Sequence, residues 1–396
     1  MQRRNALSAI AGLAALPLTG MTRLLAAPRT RSRFLVVFLR GGYDACSLLV
    51  PMSSDFYYAS RPDIAIGRPS SERTSALPLT ADWGLHPALR DSLFPYYGNG
   101  ELAFVPFAGT HDLSRSHFET QDSMEMGQAL EGHRDYGSGF LNRLAAVLTG
   151  CNPIAFTDQL PLAFQGSTKV PNTALRSLAK PSVDARQSSI IASMYQGTPM
   201  SIQVAEGFGV RDEVLREMSA EMDSANRNAI NAKGFELEAR RIAKLMNDNY
   251  NLGFVDIGGW DTHVNQGAAN GYLANRLGEL GVGLAAFAQE MGSAWRDTTV
   301  VVMSEFGRTV RQNGNRGTDH GHGSVFWVMG GSVRGRQVAG EQVRVEQATL
   351  FQNRDFPVLN EYRAVLGGLL QRQYGLNATQ IDSIFPGAKP HDLSLL

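Results

Sequence analysis

The sequence predicts an α/β fold around a mostly parallel sheet. Three continuous apolar runs, 34–39 (FLVVFL), 102–107 (LAFVPF) and 298–304 (TTVVVMS), have strand length and no polar alternation, the pattern of strands buried on both faces. Between the short run at 254–257 and the run at 298, Leu273, Leu277, Leu280, Leu284 and Phe287 recur at helical spacing and predict a long helix over 268–291. Strand, helix, strand is the crossover unit of a parallel sheet. Polar or glycine-bearing loops follow these runs, and the carboxyl ends of strands are where open α/β sheets bind ligands.

The chain has 396 residues, 43% hydrophobic and 19% charged, enough for one large domain or two smaller ones. Lys+Arg and Asp+Glu balance at 37 each, so no overall field favours nucleic acid or an anionic membrane. Cys46 and Cys151 are too few for a disulfide scaffold; they fit one bridge after export and equally two buried thiols. Residues 1–27 read as an export signal: Arg3-Arg4, a short apolar segment and small residues at Ala26-Ala27. The paired arginines point to the twin-arginine (Tat) route. The expectation is a periplasmic or extracellular protein with no membrane span after the signal.

The first strand breaks at Arg40-Gly41-Gly42-Tyr43-Asp44, which makes Asp44 either a ligand at the sheet edge or the cap of a segment at 45–49. Leu85, Leu89, Leu93 and Tyr96-Tyr97 predict a helix over 85–97. The strand at 102–107 leads through Thr110, Ser114, Arg115, Ser116 and His117 into a helix start before 120–126. Free N–H groups there suit an oxyanion, and a hydroxyl could serve as a nucleophile; the same residues also read as a capping box with a solvated arginine. Further helices are expected over 137–148, 235–249 and 355–371, a strand-like piece within 154–166 (LPLAFQG at 160–166), and a peripheral insertion without assigned chemistry over 167–230.

Asp261 and His263 follow a glycine pair after the run at 254–257, and an extended backbone puts both on one face, as two ligands to one metal require. Glu305 stands at the end of the run at 298–304, Arg308 lies on the loop beyond it, and Asp319, His320 and His322 precede a second strand at 324–329. Carboxylates and imidazoles together suit Zn, Mn or Fe. Of eight histidines, His111, His117, His263, His320 and His322 lie on loops beside core strands, each close to an acid. The expected ligands are Asp44, Asp261, His263, Glu305, Asp319, His320 and His322, holding one or two divalent ions, Zn or Mn. Arg115 or Arg308 would neutralise developing charge, or serve the structure alone.

Arg-Gly-Gly-Tyr-Asp (40–44), Ser-Arg-Ser-His-Phe-Glu (114–119), Gly-Trp-Asp-Thr-His (259–263), Ser-Glu-Phe-Gly-Arg-Thr (304–309) and Gly-Thr-Asp-His-Gly-His-Gly (317–323) resemble the Tat-exported bacterial family called domain of unknown function 1501, from about residue 33 onward. That family is similar in fold to the alkaline phosphatase and sulfatase superfamily. The resemblance implies an alkaline-phosphatase-like three-layer α/β/α sandwich over 33–390, with a mostly parallel central sheet. It also implies an order of site residues: Asp44, a nucleophile at Ser114 or Ser116 (with Thr110 competing), Asp261 with His263, Glu305, then His320. Two features depart from the superfamily: Glu305-Phe306 stands where it has Asp followed by His or Asn, and the Asp–His spacing is two. The implied activity is exported, metal-dependent hydrolysis of phosphate or sulfate esters, small or polymer-linked. The alternative is a catalytically silent exported binding or envelope-assembly protein that keeps the fold.

Overall fold

The computed structural model describes residues 32–131, 134–174, 185–207 and 234–396. The expected export signal at 1–27, and 175–184 and 208–230 of the expected insertion, lie outside the described residues. In chain order the strands are β1 (Arg33–Leu39), β2 (Leu49–Pro51), β3 (Leu77–Pro78), β4 (Trp83–Leu85), β5 (Leu102–Gly109), β6 (Pro153–Phe156), β7 (Leu252–Ile257), β8 (Thr298–Met303), β9 (Ser324–Met329), β10 (Gln337–Val338) and β11 (Asn360–Glu361).

An eight-stranded sheet runs β10-β5-β9-β8-β1-β7-β6, with β11 also paired to β5. β1 lies between β7 and β8, parallel to both, and β9 is antiparallel to its two neighbours β5 and β8. The remaining pairs are parallel, so the sheet is mostly parallel as the apolar runs predict. β2, β4 and β3 form a small antiparallel sheet beside it.

The reason for β1's unbroken apolar sequence is visible in its neighbours. Leu35, Val37 and Leu39 enter one core, shared with the helices Phe235–Asp248 and Tyr272–Met291. Phe34, Val36 and Phe38 enter a second core on the opposite face, shared with the helices Phe140–Val147, Tyr362–Tyr374 and Ala378–Ile384. The result is helix, sheet, helix: three layers. Each such side chain contributes roughly 1.5–3 kcal/mol of burial, which fixes the central strands and therefore the loops at their carboxyl ends. No helix among the described residues is long and apolar enough to cross a membrane. Cys46 and Cys151 are free thiols.

Proline explains where helical periodicity misleads. The expected helix over 85–97 is instead β4, a 3-10 turn Pro87–Leu89 and a short helix Phe94–Gly98. Pro95 has no N–H to give to a preceding turn, so one helix cannot run through it. The segment 160–166 is a 3-10 turn, Leu162–Phe164, rather than a strand. The last long helix starts at Tyr362, capped by the Glu361 side chain, because β11 first pairs with β5.

The exit of β1 is a tight point at the sheet edge. Gly41 has φ +124°, and a Cβ there would lie 2.6 Å from the backbone N of Asp261. The loops after β1 and β7 therefore touch backbone to backbone. Gly41→Ala is expected to cost about 1–3 kcal/mol, the scale of one strained backbone position, read as a lower denaturant midpoint. Gly314→Ala, where an added Cβ meets nothing within 4 Å, should leave the midpoint unchanged.

A candidate metal centre at the carboxyl edge

The loops after β1, β5, β7 and β8 and the loop before β9 meet at one edge of the sheet. The Ser116 side chain caps the helix His117–Met126 by accepting from the Glu119 N–H, so His117 becomes its first residue. Glu305, fully buried past the end of β8, binds this helix to the sheet. Its Oε1 lies 2.7 Å from His117 Nδ1, 2.8 Å from Gln121 Nε2 and 2.9 Å from the Gly41 N–H. Its Oε2 accepts from Ser304 Oγ at 2.9 Å.

Three imidazoles are held in the same way. His117 Nδ1 faces Glu305, His263 Nδ1 lies 3.3 Å from Asp319 Oδ1, and His320 Nδ1 lies 3.0 Å from the Arg115 carbonyl. Carboxylates and carbonyls accept, so each Nδ1 has a partner for the ring proton, and a neutral ring protonated there keeps its lone pair on Nε2. Those Nε2 atoms turn toward Asp261. That of His263 is 2.9 Å from Asp261 Oδ1, that of His320 is 3.5 Å from the same oxygen, and that of His117 is 3.6 Å from Oδ2. His263 and His320 bring their Nε2 atoms within 3.1 Å of each other, a repulsive contact between two lone pairs unless a cation lies between them. His117 Nε2 is buried without a hydrogen-bond partner.

His117, Asp261 and His320 each offer one ligand atom, all within 4.8 Å of one another, so this group could hold a metal ion; His263 Nε2 lies beside it, 2.9 Å from Asp261 Oδ1 and 3.1 Å from His320 Nε2. The orphaned nitrogen, the facing lone pairs and the nitrogen–oxygen donor set fit a borderline divalent ion. The site is open on one side: the side chains of Asp261 and His263 are 43% and 41% exposed.

The charges agree with this arrangement. Burial would raise the Asp261 carboxyl, but the Arg308 guanidinium, 2.7 Å from Oδ1, holds it below the usual range. Burial would likewise raise Glu305, and the bonds from His117 and Gln121 outweigh it. The Glu305 bond in turn raises His117 above the ordinary imidazole value. Burial, with His117 and Arg308 nearby, lowers His320.

Several expected site residues stand elsewhere. Asp44 is not among the converging atoms: it is fully buried, it caps the helix Ala45–Leu48, and Arg61 grips it at 2.6 and 2.9 Å. Gln266 and Ser47 complete its shell. Glu305 and Asp319 support imidazoles rather than face Asp261. His322 packs its ring on Phe351, 4.8 Å between centroids, and burial, with Arg115 and His111 nearby, pushes it down to about 4. Ser116 is occupied as a helix cap, and Ser114 Oγ bonds Thr120 Oγ1 at 3.2 Å. Thr110 Oγ1 accepts from the Asp112 N–H. Arg115 pairs with Asp355, and Arg308 is buried against Asp261 and Thr318, so neither guanidinium is free for a substrate. His117 and Gln121 are the site residues that sequence reasoning did not assign. The capping serine before His117 was the available signal.

Burial would raise Asp44, but Arg61 holds its carboxyl below the usual carboxylate range. Its folded value is thus depressed, so the stability it contributes is present above the unfolded pKa of about 3.9 and is lost as pH falls below it. Arg61→Met leaves a buried carboxylate alone and should cost about 3–5 kcal/mol. The double variant Asp44→Asn with Arg61→Met should recover much of that loss. Denaturant midpoints at pH 7 and at about pH 2.5, well below the unfolded value, check both statements.

No curated protein matches this chain. Among solved structures it is similar to a protein in the alkaline phosphatase superfamily from Vibrio parahaemolyticus, at 12% identity and TM-score 0.41, covering 93% of this chain and 72% of that one. It is also similar to Ps i-CgsB in complex with k-i-k-neocarrahexaose, at 8% identity and TM-score 0.37, covering 89% of this chain and 74% of that one. These likenesses are too distant to carry an argument about chemistry. Residues 31–385 match the family described as Protein of unknown function (DUF1501), and the chain belongs to that family.

Proposed function

We propose that the chain is an exported metal-dependent hydrolase of phosphate or sulfate esters. One divalent ion, of the Zn or Mn type, would be held by Nε2 of His117, His263 and His320 and by Asp261. The observation that carries this reading is the outward engagement of all three Nδ1 atoms, which leaves three Nε2 lone pairs and a carboxylate converging. Structural zinc sites are closed, whereas catalytic ones keep an open position, and this cluster is open on one side. A bound ion supplies electrostatic stabilisation of an ester oxygen and acidifies water.

The chain's own part is positional. Glu305, Asp319 and the Arg115 carbonyl hold the ring protons on Nδ1, and Arg308 keeps Asp261 ionised. With Ser114 and Ser116 engaged locally, water is the nucleophile of this proposal. Its oxygen bonds to phosphorus or sulfur, the ester bond to the alcohol oxygen breaks, and the alcohol leaves with the proton that water gives up.

The same engaged hydroxyls, together with the sealing of Asp44 by Arg61, favour a second reading: a silent binding or envelope-assembly protein that keeps the metal. Elemental analysis of the leader-free protein and of His117→Ala, His263→Ala, His320→Ala and His322→Ala, with phosphate and sulfate monoester turnover on the same samples, separates the readings. The expected result is one ion per chain, lost from the first three variants and kept by His322→Ala, with turnover following the metal. Metal without turnover on any ester supports the second reading. Metal kept by His117→Ala and lost from His322→Ala contradicts both.

Binding should also weaken as pH falls, because the rings must be neutral to bind. The Glu305 bond raises His117, so the loss should begin above the ordinary imidazole value of about 6.5. Chelator competition across pH 5–8 checks it, and an affinity flat over that range would contradict the imidazole ligand set.

A further inference from the structure

Asp355 touches none of the converging atoms, yet the turn it closes grips both partners of one hydrogen bond at the metal centre. That bond runs from His320 Nδ1 to the Arg115 carbonyl, at 3.0 Å. On the Arg115 side, Asp355 Oδ2 accepts from Nε at 3.2 Å and from Nη2 at 2.7 Å, and Gln352 Oε1 takes Nη2 at 2.7 Å. On the His320 side, Arg354 Nη2 donates to the His320 carbonyl. The turn is built for this grip. Phe351 and Asp355 pair across it, and Gln352 and Asn353 between them take the left-handed φ values of 53° and 56°.

Arg115 itself has φ 52°, a conformation uncommon outside glycine and held only where the surroundings impose it. The Asp355 carboxylate is 0% exposed and faces two guanidiniums, Arg115 at 2.7 Å from Oδ2 and Arg354 at 3.6 Å from Oδ1. Take the carboxylate away and Arg115 keeps only the Gln352 bond, so two of the three side-chain bonds that hold this backbone are lost. Its carbonyl then no longer faces His320.

We infer that Asp355 is a positioning residue for the metal centre: through Arg115 it fixes the His320 ring with the proton on Nδ1 and the lone pair on Nε2. This rests on the proposed metal site for its consequence, but the ring tautomer can be read without any metal. Supporting groups beyond the ligands typically carry 10–100-fold of metal affinity, and Asp355→Asn and Arg115→Lys should each lose an amount in that range.

The experiment compares the full leader-free chain with Asp355→Asn and Arg115→Lys. Zn(II) affinity is read by chelator competition, and the His320 tautomer by long-range proton–nitrogen NMR of the metal-free protein. Asp355→Asn keeps the shape of the side chain; Arg115→Lys changes a partly exposed residue and provides a folded variant if the first fails. The expected result is an Nδ1–H ring in the wild type, Nε2–H signal appearing in the variants, and weaker Zn(II) binding in both. An unchanged tautomer in folded variants overturns the inference, whatever the affinity does. Failure of the wild type to bind Zn(II) or Mn(II) would instead overturn the metal reading, and the tautomer result would still decide the role of Asp355.

Discussion

A buried carboxylate must be satisfied from every side, and Glu305 is the one on which this sheet edge depends. It lies just past the end of β8, accepts from the backbone of the β1 exit, and takes two side chains from the helix His117–Met126. Removing a charge of this kind from water costs several kcal/mol unless hydrogen bonds replace the water. The four donors around Glu305 are therefore obliged to come together, and they belong to three separate parts of the chain. The glycine pair after β1 permits the approach, since a side chain at Gly41 would meet the backbone that carries Asp261. What orders the candidate centre is thus a buried charge and a close backbone contact.

The ring nitrogens impose a second constraint. A histidine becomes a dependable ligand when its far nitrogen is tied down, because that fixes both the tautomer and the plane of the ring. Here three rings are tied by three different acceptors: a buried carboxylate, a half-exposed one and a backbone carbonyl. The supports differ in strength. Glu305 is sealed, while Asp319 is shared between His263 and Asn313 near the surface. The His117 side of the site is therefore the rigid one, and the His263 side is where the cluster opens to solvent.

Much of the frame is legible in the sequence, for a physical reason. A strand buried on both faces must be apolar at nearly every position, so β1, β5 and β8 announce themselves, and Asp261, Glu305 and His320 are found by their places next to such runs. What sequence does not show is who meets whom. His117 and Glu305 are 188 residues apart, and nothing local to either predicts a 2.7 Å contact. Asp44 has two local readings, ligand and cap; the cap is present, and Arg61, seventeen residues on, takes the carboxylate. His320 and His322 look equivalent in a glycine-spaced loop, yet one ring turns to Asp261 and the other packs on Phe351. The helix over 85–97 fails for a different reason: its apolar residues recur at helical spacing, but Pro95 forbids continuity.

The central claim is that three imidazoles converge on one ion beside Asp261. X-ray absorption at the edge of the bound metal, on protein loaded with one equivalent of Zn(II) or Mn(II), tests it most directly. The account predicts a nitrogen–oxygen shell with the outer-shell scattering of three imidazoles, and no sulfur. A spectrum with one imidazole or none, or with a thiolate from Cys46 or Cys151, would contradict it.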